Sequence, residues 1–453
     1  KIDPKYADAY NNLGTIYVDL GKLEKALESF NKAIKINPNF AEPYNNISNI
    51  MSKLRNFENA LKNSNRAIKI NPNFAEAYNN RSYILKELNL LEKALEDTDK
   101  AIKISPNYAD AYNNKGIILQ KLNRLNDALE NYNNLIKLNP DHAEAYRNRG
   151  IVLSDLKRLD EAVTSYEKAN QINQNLEFSL GTLIHTKLML CDWKTYKKDL
   201  ENLKNKINNN YKIATAFSLL SMFDSIELQK KTSKIFFKEK FPNTNFKYPY
   251  VNSIKKNKIR IGYYSADFRN HPVSHQLVHL LELHDKSKFE IFGFSFGPEN
   301  NDEMRKRIST TFDQFHDVRL KSDSEIVKLS RDLNIDIAID LMCFTKGSRF
   351  GIFVERCAPM QINFLGYPGT LGTNCHDYII ADKILIPKEY QKDYSEKIIY
   401  LPDSYKLDHS TRKISNKIFT KKELGLPENS FVFCCFNNNF KITPSIFNIW
   451  MNI

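Results

Sequence analysis

Apolar residues in the first third of the chain follow a helical period that repeats every 34 residues. Each period holds two apolar stripes at helical spacing, separated by a short turn such as Gly21-Lys22. Two marker residues recur at this interval: Tyr10, Tyr44, Tyr78, Tyr112 and Tyr146, and Pro4, Pro38, Pro72, Pro106 and Pro140. Each later proline ends the helix before it, because proline lacks an amide donor and disfavours a preceding helical residue. The pattern predicts stacked helix–turn–helix units over residues 1–175.

The pattern changes twice after the repeats. Residues 176–255 keep a helical period without the repeat, which predicts a helical adaptor. From residue 256, short runs rich in Ile, Phe and Tyr alternate with amphipathic stretches, and this alternation is typical of a parallel α/β sheet. The predicted strands are Ile259–Tyr264, Phe289–Phe296, Ile335–Leu341, Ile362–Leu365, Tyr378–Ile380 and Phe431–Phe436.

Polar segments follow four of these predicted strands. They read SADFRNHPVSH (265–275), FTKGSR (344–349), LGYPGT (365–370) and CFNNNFKITP (435–444). In open α/β sheets ligands bind beyond the carboxyl ends of the strands, so these segments are the candidate site. None of them is a P-loop or a GxGxxG motif, so a kinase, an NTPase or a Rossmann dehydrogenase gains no support.

The repeat unit resembles the tetratricopeptide repeat. The four polar segments resemble the catalytic region of the protein O-linked N-acetylglucosaminyltransferases of bacterial type, a region that SPINDLY-type O-fucosyltransferases share. This resemblance implies a tetratricopeptide α-superhelix (1–175), a helical adaptor (176–255), a first Rossmann-like half (256–425) and the start of a second half (426–453) of a GT-B cleft. The implied reaction is inverting transfer of a sugar from a nucleotide-sugar donor, expected to be UDP-GlcNAc, to Ser or Thr hydroxyls, without metal or other cofactor.

The resemblance also assigns site residues. Asp267 and His271 match the active-site carboxylate and imidazole, and Lys441 matches the lysine that meets the donor diphosphate. Which of the first two accepts the hydroxyl proton stays open, as does a role for His271 limited to hydrogen bonding the sugar. Further expected donor contacts are Thr345, Leu365, Gly366, Tyr367, Pro368, Asn438 and Phe440. Asn438 and Phe440 stand where the family often has Gln and Tyr, and Cys343-Phe344 replace a common Gly-Tyr.

One asparagine recurs in the first helix of every repeat: Asn12, Asn46, Asn80, Asn114 and Asn148. A primary amide both donates and accepts, so a ladder of amides could clamp the backbone of an acceptor polypeptide whatever its side chains. The alternative is ordinary solvation of a helix face in a chain rich in Asn. The repeats are therefore expected to bind acceptor proteins.

Composition narrows the remaining functions. A net charge of +13 is compatible with nucleic acid as a binding partner. No basic–aromatic motif accompanies the charge, so we expect no nucleic-acid binding. His271, His275 and His279 share a helix spacing but lack an acidic ligand or an HExxH motif, so no metal site is predicted. The six cysteines form no CxxC pair, which indicates a reducing cytoplasm, and no apolar run reaches membrane-spanning length.

The ends of the sequence and two other functions complete the expectations. The chain opens on Lys1 inside the repeat pattern and stops at Ile453, in the first helix after the first strand of the second half. We therefore expect a fragment that binds donor poorly and is inactive by itself. The alternatives are a catalytically inactive tetratricopeptide adaptor and an O-fucosyltransferase that uses GDP-fucose.

Overall fold

The computed structural model describes residues 6–242, 257–298, 301–407 and 415–453. The chain divides into two compact units. The first contains Lys1–Ser179 with Leu320–Ser322, and the second contains Leu180–Arg319 and Asp323–Ile453. The helices predicted as an adaptor thus group with the sheet. The predicted boundary between residues 255 and 256 and the first marker proline, Pro4, lie outside the described residues.

Ten helices form the first unit, two in each 34-residue repeat. They are α1 (Ala7–Asp19), α2 (Leu23–Ile36), α3 (Ala41–Lys53), α4 (Phe57–Ile70), α5 (Ala75–Glu87), α6 (Leu91–Ile104), α7 (Ala109–Lys121), α8 (Leu125–Leu138), α9 (Ala143–Asp155) and α10 (Leu159–Ile172). One alanine in each second helix has no exposed surface: Ala26, Ala60, Ala94, Ala128 and Ala162. A methyl side chain at these positions lets the paired helices pack closely, and the predicted tetratricopeptide superhelix is confirmed.

The turn inside each repeat contains one residue in the left-handed region. Its φ angle is +69° at Gly21, +58° at Arg55, +60° at Asn89, +59° at Asn123 and +64° at Lys157. Glycine adopts this conformation without steric cost and asparagine tolerates it, whereas arginine and lysine are strained there. The left-handed turn conformation is therefore the same in all five repeats, although only the glycine and the two asparagines adopt it readily.

Replacing Lys157 with glycine is expected to stabilise the repeat array by about 1 kcal/mol, because it removes the left-handed strain of a residue with a Cβ. Thermal unfolding of the whole chain, followed by circular dichroism, measures the shift. Lys93→Gly is the matched control: this lysine is also exposed but lies within α6, where glycine should cost about 1 kcal/mol. Destabilisation by both substitutions would contradict the assignment of strain to Lys157.

The second unit begins with four helices: α11 (Ser179–Met189), α12 (Tyr196–Asn208), α13 (Ala216–Leu219) and α14 (Ile226–Lys240). An α/β region follows with β1 (Ile259–Ser265), α15 (Pro272–Glu282), β2 (Phe289–Ser295), α16 (Glu303–Ser309), β3 (Gln314–Asp317), α17 (Asp323–Asp332), β4 (Ile337–Asp340), α18 (Gly351–Val354), β5 (Met360–Asn363), β6 (Tyr378–Ala381), β7 (Lys397–Tyr400) and α19 (Pro444–Met451). No helix within the described residues is both long and apolar enough to cross a membrane.

The seven strands form one parallel sheet in the order β3-β2-β1-β4-β5-β6-β7. Strands β1 to β3 are added toward one edge of the sheet and β4 to β7 toward the other. The order of connection therefore reverses between β1 and β4, which is where a doubly wound sheet opens a crevice for ligands. Buried apolar side chains cover both faces of the sheet, as parallel sheets require. The Rossmann-like half that we predicted is confirmed.

Five of the six predicted strands are present, and the sixth prediction is wrong. Residues 431–436 form no strand, and Phe431, Phe433 and Phe436 are exposed. This segment has no neighbouring strand to pair with among the described residues, and β propensity without a partner does not make a strand. The sequence interpretation also missed β3 and β7, which are four residues long and lie at the two edges of the sheet.

Candidate functional site

The loop after β1 holds Asp267 and His271 at the carboxyl edge of the sheet. The Asp267 amide donates to Ser265 Oγ at 2.9 Å, and its carbonyl accepts from Ser274 Oγ at 2.5 Å. His271 is the N-cap of α15, with Pro272 at the first helical position. Proline suits that position because its missing amide would have no partner there. The sequence Asn270-His271-Pro272 therefore marks the end of the loop and the start of α15.

The Nδ1 atom of His271 lies near one hydrogen-bond donor and one hydrogen-bond acceptor. Its Nδ1 lies 3.3 Å from the Val273 amide nitrogen and 3.5 Å from Asp267 Oδ2. If Nδ1 accepts from Val273, the proton of the neutral ring sits on Nε2, which then acts as a donor. If Nδ1 donates to Asp267, Nε2 is free to accept a proton. The two catalytic roles considered for this imidazole thus correspond to two tautomers.

Burial lowers the pKa of His271 from the usual 6.5, and the nearby Asp267 carboxylate opposes that shift. The neighbouring Arg269 and His275 side chains also lower the pKa of His271. The neutral imidazole therefore dominates at neutral pH. Either tautomer described above is available for chemistry there.

Two further loops meet this one at the sheet edge. Ser265 Oγ lies 3.6 Å from Met342 Sδ, and Thr345 Oγ1 donates to the Met342 carbonyl at 2.8 Å. A Cβ on Gly366 would lie 2.9 Å from the Leu341 carbonyl carbon, so only glycine fits at this contact. The structure thereby brings together the predicted loops around Asp267, Thr345 and Gly366.

Two non-glycine residues in these loops have left-handed backbones: Cys343 at φ +47° and Leu365 at φ +73°. Such conformations cost of order 1–3 kcal/mol each and persist where the surrounding structure imposes them. Leu365 is itself a predicted donor contact, and Cys343 lies two residues before another, Thr345. Strain at a sheet edge with three converging loops is consistent with a ligand site there.

The 365–370 loop is anchored mainly by residues that the sequence interpretation did not select. Glu396 accepts from the Leu371 amide at 2.7 Å and from Thr370 Oγ1 at 2.9 Å, and burial raises the pKa of its carboxyl. Ser233 of α14 donates to the Thr370 carbonyl at 2.9 Å. The Tyr394 hydroxyl donates to the Pro368 carbonyl at 3.2 Å. By contrast, the side chain of Tyr367 is fully buried.

Lys441 lies on a separate loop whose neighbours are in the helical adaptor. Phe440 packs on His185 of α11 with 4.8 Å between ring centroids, and Asn439 Nδ2 donates to the Met189 carbonyl at 3.4 Å. Lys441 and Asn438 are exposed. Phe440, a predicted donor contact, therefore has a packing role in this arrangement. The adaptor positions the loop that carries the lysine.

Asp302 and Arg305 support the Asp267 loop and were not identified from the sequence. Asp302 accepts from the Asn270 amide at 2.7 Å and caps α16 through the Arg305 amide, also at 2.7 Å. Arg305 donates to the Phe268 carbonyl at 3.3 Å and pairs with Asp317 at 3.2 Å. Aspartate before a helix is a recognisable cap signal. Its second partner, 32 residues away, is not visible in the sequence.

The predicted ladder asparagines are hydrogen bonded to a second series of asparagines, each one position before a ladder residue. Four of its members donate from Nδ2 to an asparagine Oδ1 in the preceding repeat, 35 residues earlier, at 2.8–3.0 Å: Asn46 to Asn11, Asn80 to Asn45, Asn114 to Asn79, and Asn148 to Asn113. Asn12 is exposed, whereas Asn148 is 4% exposed and its Oδ1 accepts from Arg147. A primary amide keeps a second N–H after one donation.

The three histidines on α15 and its cap do not converge on a common point. His275 Nε2 bonds Asn270 Oδ1 at 2.8 Å, and His279 Nδ1 lies 3.5 Å from Glu282. Within the described residues, one group of side chains could hold a metal ion, namely Asp340, Cys343 and His376. The sequence interpretation did not select this group.

The fold and this site together define a class: a tetratricopeptide array followed by a Rossmann-like glycosyltransferase half. The profile of glycosyl transferase family 41 matches residues 190–418, and tetratricopeptide profiles match residues 7–40, 41–74, 65–96 and 113–175. The chain belongs to glycosyl transferase family 41.

Named relatives agree with this membership. A probable UDP-N-acetylglucosamine–peptide N-acetylglucosaminyltransferase, SEC, of Arabidopsis thaliana is 30% identical over 60% of this chain and 30% of its own length. A Caenorhabditis elegans UDP-N-acetylglucosamine–peptide N-acetylglucosaminyltransferase is 28% identical over 56% of this chain and 24% of its own length. A mutant of the Thermobaculum terrenum O-GlcNAc transferase has a similar fold, with a TM-score of 0.53, 21% identity and coverage of 83% of this chain and 65% of that one. The match to this chain therefore spans 30% or less of the length of the Arabidopsis and Caenorhabditis relatives.

Proposed function

We propose that this protein transfers a sugar from a nucleotide-sugar donor to Ser or Thr hydroxyls of proteins with inversion, and that the donor is UDP-GlcNAc. The observation that carries the proposal is the pairing of Asp267 with His271 at the switch point of a family 41 sheet. The names of the relatives support the donor, since both are named as UDP-N-acetylglucosamine–peptide N-acetylglucosaminyltransferases, one of them as probable.

In the proposed reaction the acceptor oxygen attacks the anomeric carbon while the bond to the donor diphosphate breaks. The hydroxyl proton leaves toward the Asp267–His271 pair, and the electron pair of the broken bond leaves with the diphosphate. Lys441 would place its ammonium against the diphosphate, whose negative charge grows in the transition state. Thr345, the 365–368 loop, Asn438 and Phe440 would surround the donor. No step of this proposal uses a metal.

We also propose that acceptor polypeptides bind along the asparagine ladder. Asn12 is exposed, and Asn46, Asn80 and Asn114 are partly exposed and keep amide groups beyond the bond to the preceding repeat. Asn148 is the least accessible member. The bonds between repeats would hold the amides in fixed orientations, which lowers the entropy cost of binding an extended backbone. A reducing cytoplasm suits the six free cysteines.

Lys441→Ala is expected to reduce protein glycosylation by about 10²–10³-fold, because it removes a cation from the departing diphosphate. The measurement is transfer of labelled GlcNAc from UDP-GlcNAc to protein by the complete gene product. Lys417→Ala is the matched control, since Lys417 also lies over a phenylalanine ring, that of Phe419, and has no proposed role. It should retain wild-type activity.

Each other outcome has a distinct meaning. Transfer from GDP-fucose in place of UDP-GlcNAc would keep the family reaction and overturn the donor. Equal activity of the Lys441→Ala variant and wild type would overturn the role of the lysine. No transfer from either donor, with protein binding by the repeats intact, would favour a tetratricopeptide adaptor.

A further inference from the structure

Asp340, Cys343 and His376 meet in the interior of the second unit. Asp340 is the last residue of β4, Cys343 follows in the next loop, and His376 precedes β6. Asp340 Oδ2 lies 3.1 Å from His376 Nε2, and the possible ligand atoms of all three residues lie within 4.8 Å of one another. None of the three residues is more than 2% exposed. The group is therefore shielded from solvent on all sides.

The other hydrogen bonds of Asp340 orient it toward this group. Its Oδ1 accepts from the amides of Met342 at 2.9 Å and Cys343 at 3.0 Å, which leaves Oδ2 facing His376. These two amide bonds fix the orientation of the carboxylate. A buried carboxylate needs a compensating positive charge, and a single imidazole supplies one only when protonated.

Two buried polar atoms around the group have no hydrogen-bond partner among the described residues. They are His376 Nδ1 and Asn363 Oδ1, and Asn363 is the register partner of Asp340 on β5. The His376 ring packs against Phe350 and Phe353, with centroid distances of 5.4 and 4.9 Å. Unpaired buried polar atoms are uncommon in folded proteins, so the hydrogen bonds present do not account for every polar atom around the group.

We propose that Asp340, Cys343 and His376 bind one zinc ion that stabilises the fold. Carboxylate, thiolate and imidazole are all ligands that zinc takes in proteins. A zinc ion with Asp340 ionised, Cys343 as thiolate and His376 neutral has a net charge of zero, so no unpaired charge remains buried. The thiol proton leaves to solvent when the ion binds. The possible ligand atoms lie within 4.8 Å of one another, which is close enough for a single ion to reach all three.

The position of the site suggests what the ion would do. Cys343 has a left-handed backbone and lies between Met342, which contacts Ser265, and the loop that contains Thr345. A bond from zinc to the thiolate would hold this strained residue in place. The ion would thus stabilise the loop under the proposed donor site without contacting the reacting atoms. This proposal does not depend on the transferase activity.

A fourth ligand would complete the tetrahedron. Cys375 is buried and directly precedes His376 in the sequence. Cys375→Ala therefore tests whether the site has four protein ligands or three. Loss of zinc in this variant would indicate four, and retention would indicate three with a small molecule or ion in the fourth position.

The test measures zinc in the protein purified without a metal-affinity step, by plasma mass spectrometry after dialysis against zinc and then against metal-free buffer. About one zinc ion per chain is expected. Cys343→Ser, His376→Gln and Asp340→Asn should each weaken zinc binding by more than the roughly 10–100-fold that an outer-shell residue costs. Cys357→Ser is the matched control, because Cys357 is equally buried and its thiol contacts Gln361 instead.

A second readout does not require that the variants fold. Replacement of zinc by cobalt in the wild-type chain should give a thiolate-to-cobalt charge-transfer absorption, and chelation should lower the melting temperature of the second unit. A folded wild-type chain that retains neither zinc nor cobalt would overturn the proposal. Full zinc retention by folded Cys343→Ser and His376→Gln variants would overturn it as well.

Discussion

His271→Ala is expected to lower the rate of sugar transfer by about 10²–10⁴-fold, the range over which general acid–base groups act. His271→Gln separates the two roles of the imidazole. Glutamine can still donate a hydrogen bond to a sugar or phosphate oxygen, but it cannot accept and carry a proton at neutral pH. If His271 is the base, both variants lose activity equally. If it only donates a hydrogen bond, the glutamine variant retains a substantial part of the wild-type rate.

His275→Gln is the control for this pair. His275 lies one helical turn further along α15, is exposed and bonds Asn270, and has no proposed role in the reaction. The variant should transfer sugar at close to the wild-type rate. Full activity of His271→Ala would contradict the assignment of this imidazole to the reaction, whichever tautomer it adopts.

The pH dependence gives an independent check. Because burial lowers the pKa of His271, the catalytic neutral ring is present at neutral pH and is lost only as the pH falls through that lowered pKa. The acid limb of kcat/KM is therefore expected below pH 6.5. Arg269→Gln removes a nearby positive charge that lowers the pKa of His271, so the acid limb should move to higher pH. An unchanged limb would show that another group titrates.

Gly116→Ser is expected to destabilise the fourth repeat by about 1–3 kcal/mol or more, because an added Cβ would lie 2.7 Å from Cε1 of the fully buried Tyr132 ring. The same small-to-large contact recurs at Gly14 with Phe30 and at Gly150 with Tyr166. The second and third repeats have two small residues at the equivalent positions: Ser48 with Ser64, and Ser82 with Thr98. In three repeats a glycine on the first helix thus makes room for an aromatic ring on the second, and in the other two repeats two small residues occupy the same space.

The double variant Gly116→Ser with Tyr132→Thr reproduces the pair found in the third repeat. Tyr132→Thr alone should cost about 3–5 kcal/mol through the cavity that it leaves. The serine fills part of that cavity, so the double variant should cost less than the two single variants together, with a coupling of about 0.5–3 kcal/mol. Amide hydrogen exchange in α7 and α8 reports the local free energy. Additive costs would contradict the shared-volume explanation.

The candidate site was only partly predictable. Asp267 and His271 were identified from their match to the family's motif, and in the structure His271 Nδ1 lies 3.5 Å from Asp267 Oδ2. Glu396 and Asp302 were not identified, because each supports a loop more than 20 residues away. The cluster of Asp340, Cys343 and His376 was missed for the same reason. Its members lack any short metal-binding spacing, and the predicted absence of a metal rested on such spacings.

The repeat array, the adaptor helices and five strands of the sheet could be predicted from the sequence alone. These features follow from contacts within a few residues along the chain, and hydrophobic periodicity records such contacts directly. The three-dimensional structure was needed to show that Phe431–Phe436 forms no strand, that the ladder asparagines bond the preceding repeat, and that His376 reaches Asp340. Each of these depends on whether a partner distant in sequence lies at the right place. Helix stacking and strand register set that position, and no local pattern encodes it.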